Sequence, residues 1–459
     1  MVTLKTESNT SSIREWTPDS WRSLRATQQP EYPDSGKLES VLQQLAELPP
    51  LVTSWEVDRL RTRLAEAATG KRFLLQGGDC AERFDECRPD IISNRLKVLL
   101  QMSLVLIYGL RLPVVRVGRF AGQYAKPRSD ALESKNGTEL PSYRGDIINR
   151  PGFEAEDRIP DPERMLQAYS RSGITLNHVR ALGEGGFADL HHPENWNLGF
   201  VQHDDLRKEY QQIVDSILDA IRFMEAVSPN PIGDMDRVAF FTSHEALLLP
   251  YEEALTRPDT VHDRTYNLST HFPWIGARTA FEGSAHVEYM RGLANPIAIK
   301  VGPEMSPSEL RTLINILDPD SIPGRLTLIT RLGVDRIESQ LPPLIEAVQA
   351  VGNRVLWSCD PMHGNTEILS SGIKTRRFEN ILAEMELSFD IHAAHDSALG
   401  GVHLELTGED VTECTGGAGG LQDEDLGRAY RSHVDPRLNS EQALEMAFSI
   451  IRKKRRMLS

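Results

Sequence analysis

The chain has 459 residues, 40% hydrophobic and 25% charged, an ordinary globular composition long enough for several domains or for one enlarged α/β barrel. Its formal charge of −15 argues against broad binding to nucleic acid or to an anionic membrane, yet leaves room for a small anionic substrate held by local cations. No apolar run approaches the roughly 18 residues that span a bilayer, the first residues lack a signal peptide's apolar core, and Cys80, Cys87, Cys359 and Cys414 are too scattered for a disulfide framework. A cytoplasmic, soluble enzyme is the default expectation.

Residues 1–36 are polar and proline-bearing, with Trp16 and Trp21 as apolar anchors, and read as an arm that packs on something else. Helical spacing of Leu38, Val41, Leu42 and Leu45 predicts a helix over 37–48. Val57, Leu60 and Leu64 predict a second over 55–69, stopped by Gly70. Residues 1–70 therefore form an N-terminal extension that covers a barrel end or makes a subunit contact. Eight apolar, strand-like runs follow, at 73–79, 114–119, 238–245, 272–277, 296–301, 326–331, 355–360 and 402–407, most separated by room for one helix. This alternation predicts a (β/α)8 TIM barrel over 71–459, with a doubly wound open sheet as the competitor. The second connection is too long for one crossover. It holds a polar loop at 128–162, helices at 163–182 and 204–227, and hence a helical insertion at about 184–236, suited to oligomer contacts or a regulatory pocket. Ala188-Asp-Leu-His191 reads as loop. A last helix runs from Glu441, capped by Ser440, into Arg452-Lys-Lys-Arg-Arg456, a solvated basic helix end.

Nearly every apolar run closes in polar or charged residues, which is costly unless they meet ligands or one another. The ends are Gln76-Gly-Gly-Asp-Cys80, Gly118-Arg119, Ser243-His-Glu245, Gly276-Ala-Arg278, Ile299-Lys300, Thr330-Arg331, Cys359-Asp-Pro-Met-His363 and His403-Leu-Glu405, with Asp435 beyond. On a strand His403 and Glu405 share one face. Arg119, Arg278, Lys300 and Arg331, with Lys126 and Arg128 nearby, suit one or two phosphates or carboxylates. Cys80, His363, Glu405 and Asp435 can hold a divalent transition metal. The residues alone thus predict phosphorylated anionic substrates beside a Lewis acid, for carbon–carbon bond chemistry at a carbonyl or for phosphoryl chemistry. Thr415-Gly-Gly-Ala-Gly-Gly420 lacks the lysine of a P-loop and is weak evidence for a nucleotide.

Gln76-Gly-Gly-Asp-Cys-Ala-Glu82, Gly122-Gln-Tyr-Ala-Lys-Pro-Arg-Ser129, Ser142-Tyr-Arg-Gly-Asp146, Thr242-Ser-His-Glu245, Cys359-Asp-Pro-Met-His-Gly-Asn-Thr366, His403-Leu-Glu-Leu-Thr-Gly408 and Asp435-Pro-Arg-Leu-Asn439 resemble the type II (plant-like) 3-deoxy-D-arabino-heptulosonate 7-phosphate (DAHP) synthases, in family order. The resemblance implies a (β/α)8 barrel condensing phosphoenolpyruvate with erythrose 4-phosphate, at the entry to the shikimate pathway and aromatic amino acid synthesis. It implies metal ligation by Cys80, His363, Glu405 and Asp435, with manganese or cobalt preferred and zinc or iron open. It places phosphoenolpyruvate on Arg119, Arg278, Lys300, Arg331 and the backbone of Ala277, and the aldehyde phosphate on Lys126, Arg128 and Ser129. Lys300 and Glu245 become candidates to orient or deprotonate the attacking water. It further implies a homo-oligomer, at least a dimer, and allows a complex with chorismate mutase.

Three positions depart from the family pattern. Ala277 stands where most members carry glutamate, Ala280 where they carry arginine, and Val434 where many carry cysteine. The departures keep two alternatives open: a secondary-metabolism paralogue using an amino analogue of the sugar phosphate, and a silent regulatory copy.

Overall fold

The computed structural model describes residues 15–135, 137–184, 203–227, 239–352 and 354–458. Eight strands lie at β1 (Phe73–Gly78), β2 (Val114–Arg119), β3 (Phe240–Glu245), β4 (Phe272–Ile275), β5 (Ile297–Val301), β6 (Leu326–Thr330), β7 (Leu356–Cys359) and β8 (Leu399–Glu405). Each pairs in parallel with its chain neighbours, and β1 pairs with both β2 and β8, so the sheet closes into a barrel. The open-sheet alternative is excluded by that closure. Most strands start or stop within a residue or two of the apolar runs. The eighth begins at Leu399, three residues earlier than expected, because Leu399 and Gly401 already pair with β7.

Helices α1 (Ser35–Glu47) and α2 (Ser54–Ala68) precede the barrel, and α3 (Pro89–Leu110) follows β1. The second connection carries α4 (Glu163–Glu184) and α5 (Asp204–Val227). Then α6 (Leu249–Ala254), α7 (Ala285–Arg291), α8 (Pro307–Leu317), α9 (Ile337–Val351), α10 (Phe378–Ala394) and α11 (Ser440–Leu458) each follow one strand. Local signals account for several ends. Thr53 and Glu56 exchange reciprocal capping bonds at α2, as do Ser306 and Glu309 at α8, where Pro307 opens the helix. The last helix is capped by Asn439, whose Oδ1 accepts the Gln442 N–H at 2.9 Å; Ser440 is already its first residue. Ala188–His191 lies outside the described residues.

The extension does cover the barrel. Leu60, Leu64 and Ala67 of α2 are fully buried against Leu74, Val115, Phe241, Phe272 and Leu356, and so plug the end opposite the strand C-termini. Truncating Leu64 there would cost roughly 2–5 kcal/mol. Trp16 and Trp21 anchor the arm on the barrel wall, their indole N–H groups donating to Glu288 O at 3.0 Å and to Glu253 Oε2 at 2.8 Å. Helix α3 is long and apolar enough to cross a membrane by composition, but 72% of its most apolar window is buried inside the protein. It packs on α11 closely enough that a Cβ on Gly109 would meet Ile451 at 2.3 Å. The 128–162 segment, expected as plain loop, contains a hairpin of Leu132–Lys135 with Thr138–Pro141. Two further hairpins, Thr256–Asp259 with Arg264–Asn267 and Thr366–Ile368 with Lys374–Arg376, were not expected.

Candidate active site

The C-terminal ends of the strands open into a cavity of about 210 Å³ lined by Cys80, Arg119, Lys126, Glu245, Ala277, Arg278, Lys300, Arg331, His363 and Asp435, among others. Parallel closure forces this convergence, since each strand delivers its terminal side chain to the same rim. Cys80 follows β1, Glu405 ends β8, and Asp435 arrives on the loop after β8. One donor atom from each lies within 4.8 Å of the other two. Metal–ligand bonds of about 2.0–2.3 Å bring donor atoms to about 3.3–4.6 Å apart, so a thiolate and two carboxylates at this spacing fit a divalent transition metal. The group already holds one cationic side chain. The Lys126 ammonium sits 2.7 Å from Cys80 Sγ, 2.8 Å from Asp435 Oδ2 and 3.6 Å from Glu405 Oε1. Lys126, expected at the aldehyde phosphate, is thus placed among the metal-type ligands. His363 borders the group, with Nε2 3.0 Å from Glu405 Oε1.

Charge is heavily compensated on this side. Glu405 also pairs with Arg119 Nη2 at 3.0 Å and with Arg376 Nη1 at 2.8 Å, all of them buried. Burial opposes its ionisation, but His363, Lys126, Arg376 and Arg119 together hold the carboxyl well below the usual range. Burial likewise opposes ionisation of Asp435, and Lys126 with Arg376 overcomes it. The Cys80 thiol is pushed up to about 12, chiefly by burial and then by Glu405, so a cation that binds there must displace a proton. Asp360, fully buried at the end of β7, accepts from Lys300 and, at 2.7 Å, from His363 Nδ1. That bond leaves Nε2 of His363 facing Glu405 and the ligand group, the arrangement in which a second carboxylate orients a ligating imidazole. Burial lowers Lys300 to about 8 even beside Asp360, which puts its proton within reach near neutrality.

The other side is built differently. Arg278 Nη2 donates to Ser129 Oγ at 2.5 Å, and Arg331 Nη2 donates to His363 O at 3.1 Å. Among the described residues neither guanidinium has a carboxylate within 4 Å, and the Arg331 Nε is buried without a hydrogen-bond partner. Arg128, further out, pairs with Glu133 at 2.7 Å. Glu245 ends β3 with its Oε1 buried and unpartnered; burial raises its pKa, and Lys126, Lys300 and Arg278 only partly offset that. Gly276 lets this carboxyl lie against the β4 end, since a Cβ there would meet Glu245 Oε1 at 2.0 Å. Ala277 follows as part of the lining, with the Gly302 backbone behind it.

Some residues had no assigned role in the sequence. His403 is buried under Arg119, whose Nη1 donates to its Nε2 at 2.6 Å. Since a guanidinium can only donate, the ring accepts there and is neutral, consistent with burial, Lys300 and Arg119 all depressing its pKa. Asp360 and His403 sit in the same strand-end runs as the predicted ligands and could have been found that way. Arg376 and Lys374 come from the short 366–376 hairpin, whose three-residue strands are too short to show an apolar period. Lys374 reaches Asp435 Oδ1 at 3.1 Å.

A barrel whose mouth gathers two arginines without carboxylate partners among the described residues, beside a cysteine–carboxylate group able to hold a cation, suits an enzyme acting on small anions. The comparisons narrow this. A profile described as the class-II DAHP synthetase family matches residues 16–451. The chain is 49% identical over 451 residues to the phospho-2-dehydro-3-deoxyheptonate aldolase of Neurospora crassa, covering 95% of this chain and 93% of that one. It is 48% identical over 432 residues to the protein of that name from Streptomyces coelicolor, with 94% and 96% covered. A third relative, phospho-2-dehydro-3-deoxyheptonate aldolase AroG of Mycolicibacterium smegmatis, is 43% identical over 441 residues. The chain belongs to the class-II DAHP synthetase family. None of these three names points to an amino-sugar analogue or a silent paralogue.

Proposed function

We propose that this mouth condenses phosphoenolpyruvate with erythrose 4-phosphate to give DAHP and inorganic phosphate. The observation that carries this reading is the pair of guanidinium groups, Arg278 and Arg331, without carboxylate partners among the described residues, across one small cavity from the Cys80–Glu405–Asp435 group. Two cations of that kind are stabilised when an anionic substrate sits between them.

Arg119, Arg278, Lys300 and Arg331, with the Ala277 backbone, hold phosphoenolpyruvate, and Arg128 and Ser129 take the aldehyde phosphate, joined by Lys126 once a metal displaces it from Cys80 and Asp435. Holding both anions in register keeps C3 of phosphoenolpyruvate against the aldehyde carbon and lowers the entropic cost of meeting. A divalent cation held by Cys80, His363, Glu405 and Asp435, manganese or cobalt by preference, supplies Lewis-acid polarisation of the aldehyde carbonyl. As the C3–C1 bond forms, the carbonyl oxygen takes a proton, and Lys300, buried on Asp360 with its pKa lowered to about 8, is one group able to exchange a proton with the substrates or the water. Positive charge then develops at C2 and water adds there. Glu245 orients that water and receives its proton, and collapse of the hemiketal expels phosphate and leaves the ketone. We also hold to a homo-oligomer, at least a dimer; a monomeric molar mass by light scattering would overturn that part alone.

The test is phosphoenolpyruvate consumption with erythrose 4-phosphate after reconstitution with manganese or cobalt. Turnover lost to a chelator and restored by metal is expected. Folded, metal-loaded protein that leaves phosphoenolpyruvate untouched would overturn the acceptor assignment.

A further inference from the structure

The loop proposed to take the aldehyde phosphate is held from two directions. At its start, Glu82 accepts the backbone N–H groups of Ala121, Gly122 and Gln123 at 2.9–3.1 Å, binding it to the barrel. Further on, Lys126 N–H donates to Arg144 O at 2.9 Å, and Pro127 has no N–H to offer. The next peptide is taken by the N-terminal arm. Arg128 N–H donates to Gln28 Oε1 at 3.0 Å, and Gln28 Nε2 donates back to Arg128 O at 3.1 Å. One side-chain amide thus does for Arg128 what a neighbouring strand would do, from 100 residues upstream.

The arm is rigid enough for this. Arg25 bridges to Ser284, and Ala285 N–H donates to Arg25 O at 3.1 Å. Gln29 donates to Leu247 O at 2.7 Å and accepts the Leu249 N–H at 3.2 Å, so the next residue grips the segment after β3. Gln28 itself has φ of +63°, a left-handed conformation that a glutamine adopts at a cost. Its amide is also within 3.3 Å of Arg144 Nη1, which joins the arm to the residue that holds Lys126. A strained residue with both amide ends matched to one peptide is poorly explained as filler.

We propose that Gln28 is a positioning residue for the acceptor phosphate: by clamping the Arg128 peptide it sets where the Arg128 and Ser129 side chains stand relative to Arg278. The proposal rests on the reading of Lys126, Arg128 and Ser129 as the aldehyde-phosphate site. It gives the arm a part in substrate recognition although no described arm residue lines the cavity.

Two substitutions test it in the full-length, metal-reconstituted protein. Gln28→Gly removes the amide and relieves the left-handed strain; Gln28→Leu removes the amide at similar size. Each loses the two neutral hydrogen bonds to the Arg128 peptide and a long third one from Arg144, so KM for erythrose 4-phosphate should rise on the order of tenfold. KM for phosphoenolpyruvate and the thermal midpoint of the Gly variant should stay near wild type. Arg128→Ala and Ser129→Ala, measured alongside, test the underlying reading. If these leave the erythrose 4-phosphate KM unchanged, the phosphate assignment fails whatever Gln28 does. If they raise it and both Gln28 variants match wild type, the positioning role is overturned. A parallel rise of both KM values with a lowered midpoint, or an effect in Gln28→Leu alone, overturns it too, by assigning Gln28 to structure or the effect to a clash.

Discussion

The two sides of the barrel mouth hold similar residues under opposite electrostatic conditions. On one side Cys80, Glu405, Asp435, Asp360 and His363 are interleaved with Lys126, Arg119, Arg376 and Lys300, so almost every charge has an opposite charge within 4 Å. On the other, Arg278 leans on a hydroxyl, Arg331 on a backbone carbonyl, and Glu245 keeps a buried oxygen without a partner. The first side is held by its own network, in which Lys126 stands among the ligand atoms, so an entering metal displaces that ammonium and the Cys80 proton. The second leaves electrostatic potential to be spent on an anion. Removing a charge from the first side should therefore damage the fold or the metal site, whereas removing one from the second should spare the fold and damage substrate binding or turnover.

The largest effect is expected at Cys80. Cys80→Ser should lower kcat by about a thousandfold or more and release metal on gel filtration, because a thiolate donor is lost from the group. Turnover and metal content both near wild type would remove Cys80 from the site. Arg376→Met would leave Glu405 with one cation fewer in a buried setting, and should cost about 3–5 kcal/mol of stability in a urea titration. A stability loss under about 1 kcal/mol would break the claim that this side is self-stabilised. Arg331→Ala removes a charge-assisted contact to phosphoenolpyruvate, so its KM should rise roughly ten- to hundredfold with the unfolding midpoint unchanged. An unchanged KM would argue against its assignment.

The subtlest test is of pH. Burial raises the Glu245 carboxyl above its ordinary 4.5. A base works only when ionised, so activity should fall as pH drops through that raised value, placing the acid limb of kcat/KM above the usual glutamate range. In Glu245→Gln this limb should vanish from whatever activity remains. A limb that persists unshifted belongs to another group.

Much of this was legible in the chain. The apolar runs closing in ligand-type residues marked the barrel and its rim, because a strand exposes its last side chain where the loop begins. Cys80, His363 and Glu405 stood out for that reason, with Asp360 and His403 in the same runs, whereas Asp435, on the loop after β8, joined them only by its ligand chemistry and the family resemblance. Arg376 was not legible, since a strand of three residues has too few positions for periodicity to register. Nor was Gln28, whose partner is a peptide group, and peptide groups carry no residue identity. The cap of the last helix shifted from Ser440 to Asn439 because both are good caps and only the backbone path selects one.

The sequence by itself determined the eightfold alternation, the ligand types at the strand ends and the family. Local propensity, apolar period and side-chain chemistry are all written along one chain. Only the tertiary structure decided the pairing of charges: that Lys126 stands among Cys80, Asp435 and Glu405, that Arg376 and not only Arg119 holds Glu405, and that Arg278 and Arg331 are left without carboxylates among the described residues. Electrostatic energy depends on distances across the barrel, and these exist only once β1 has closed on β8.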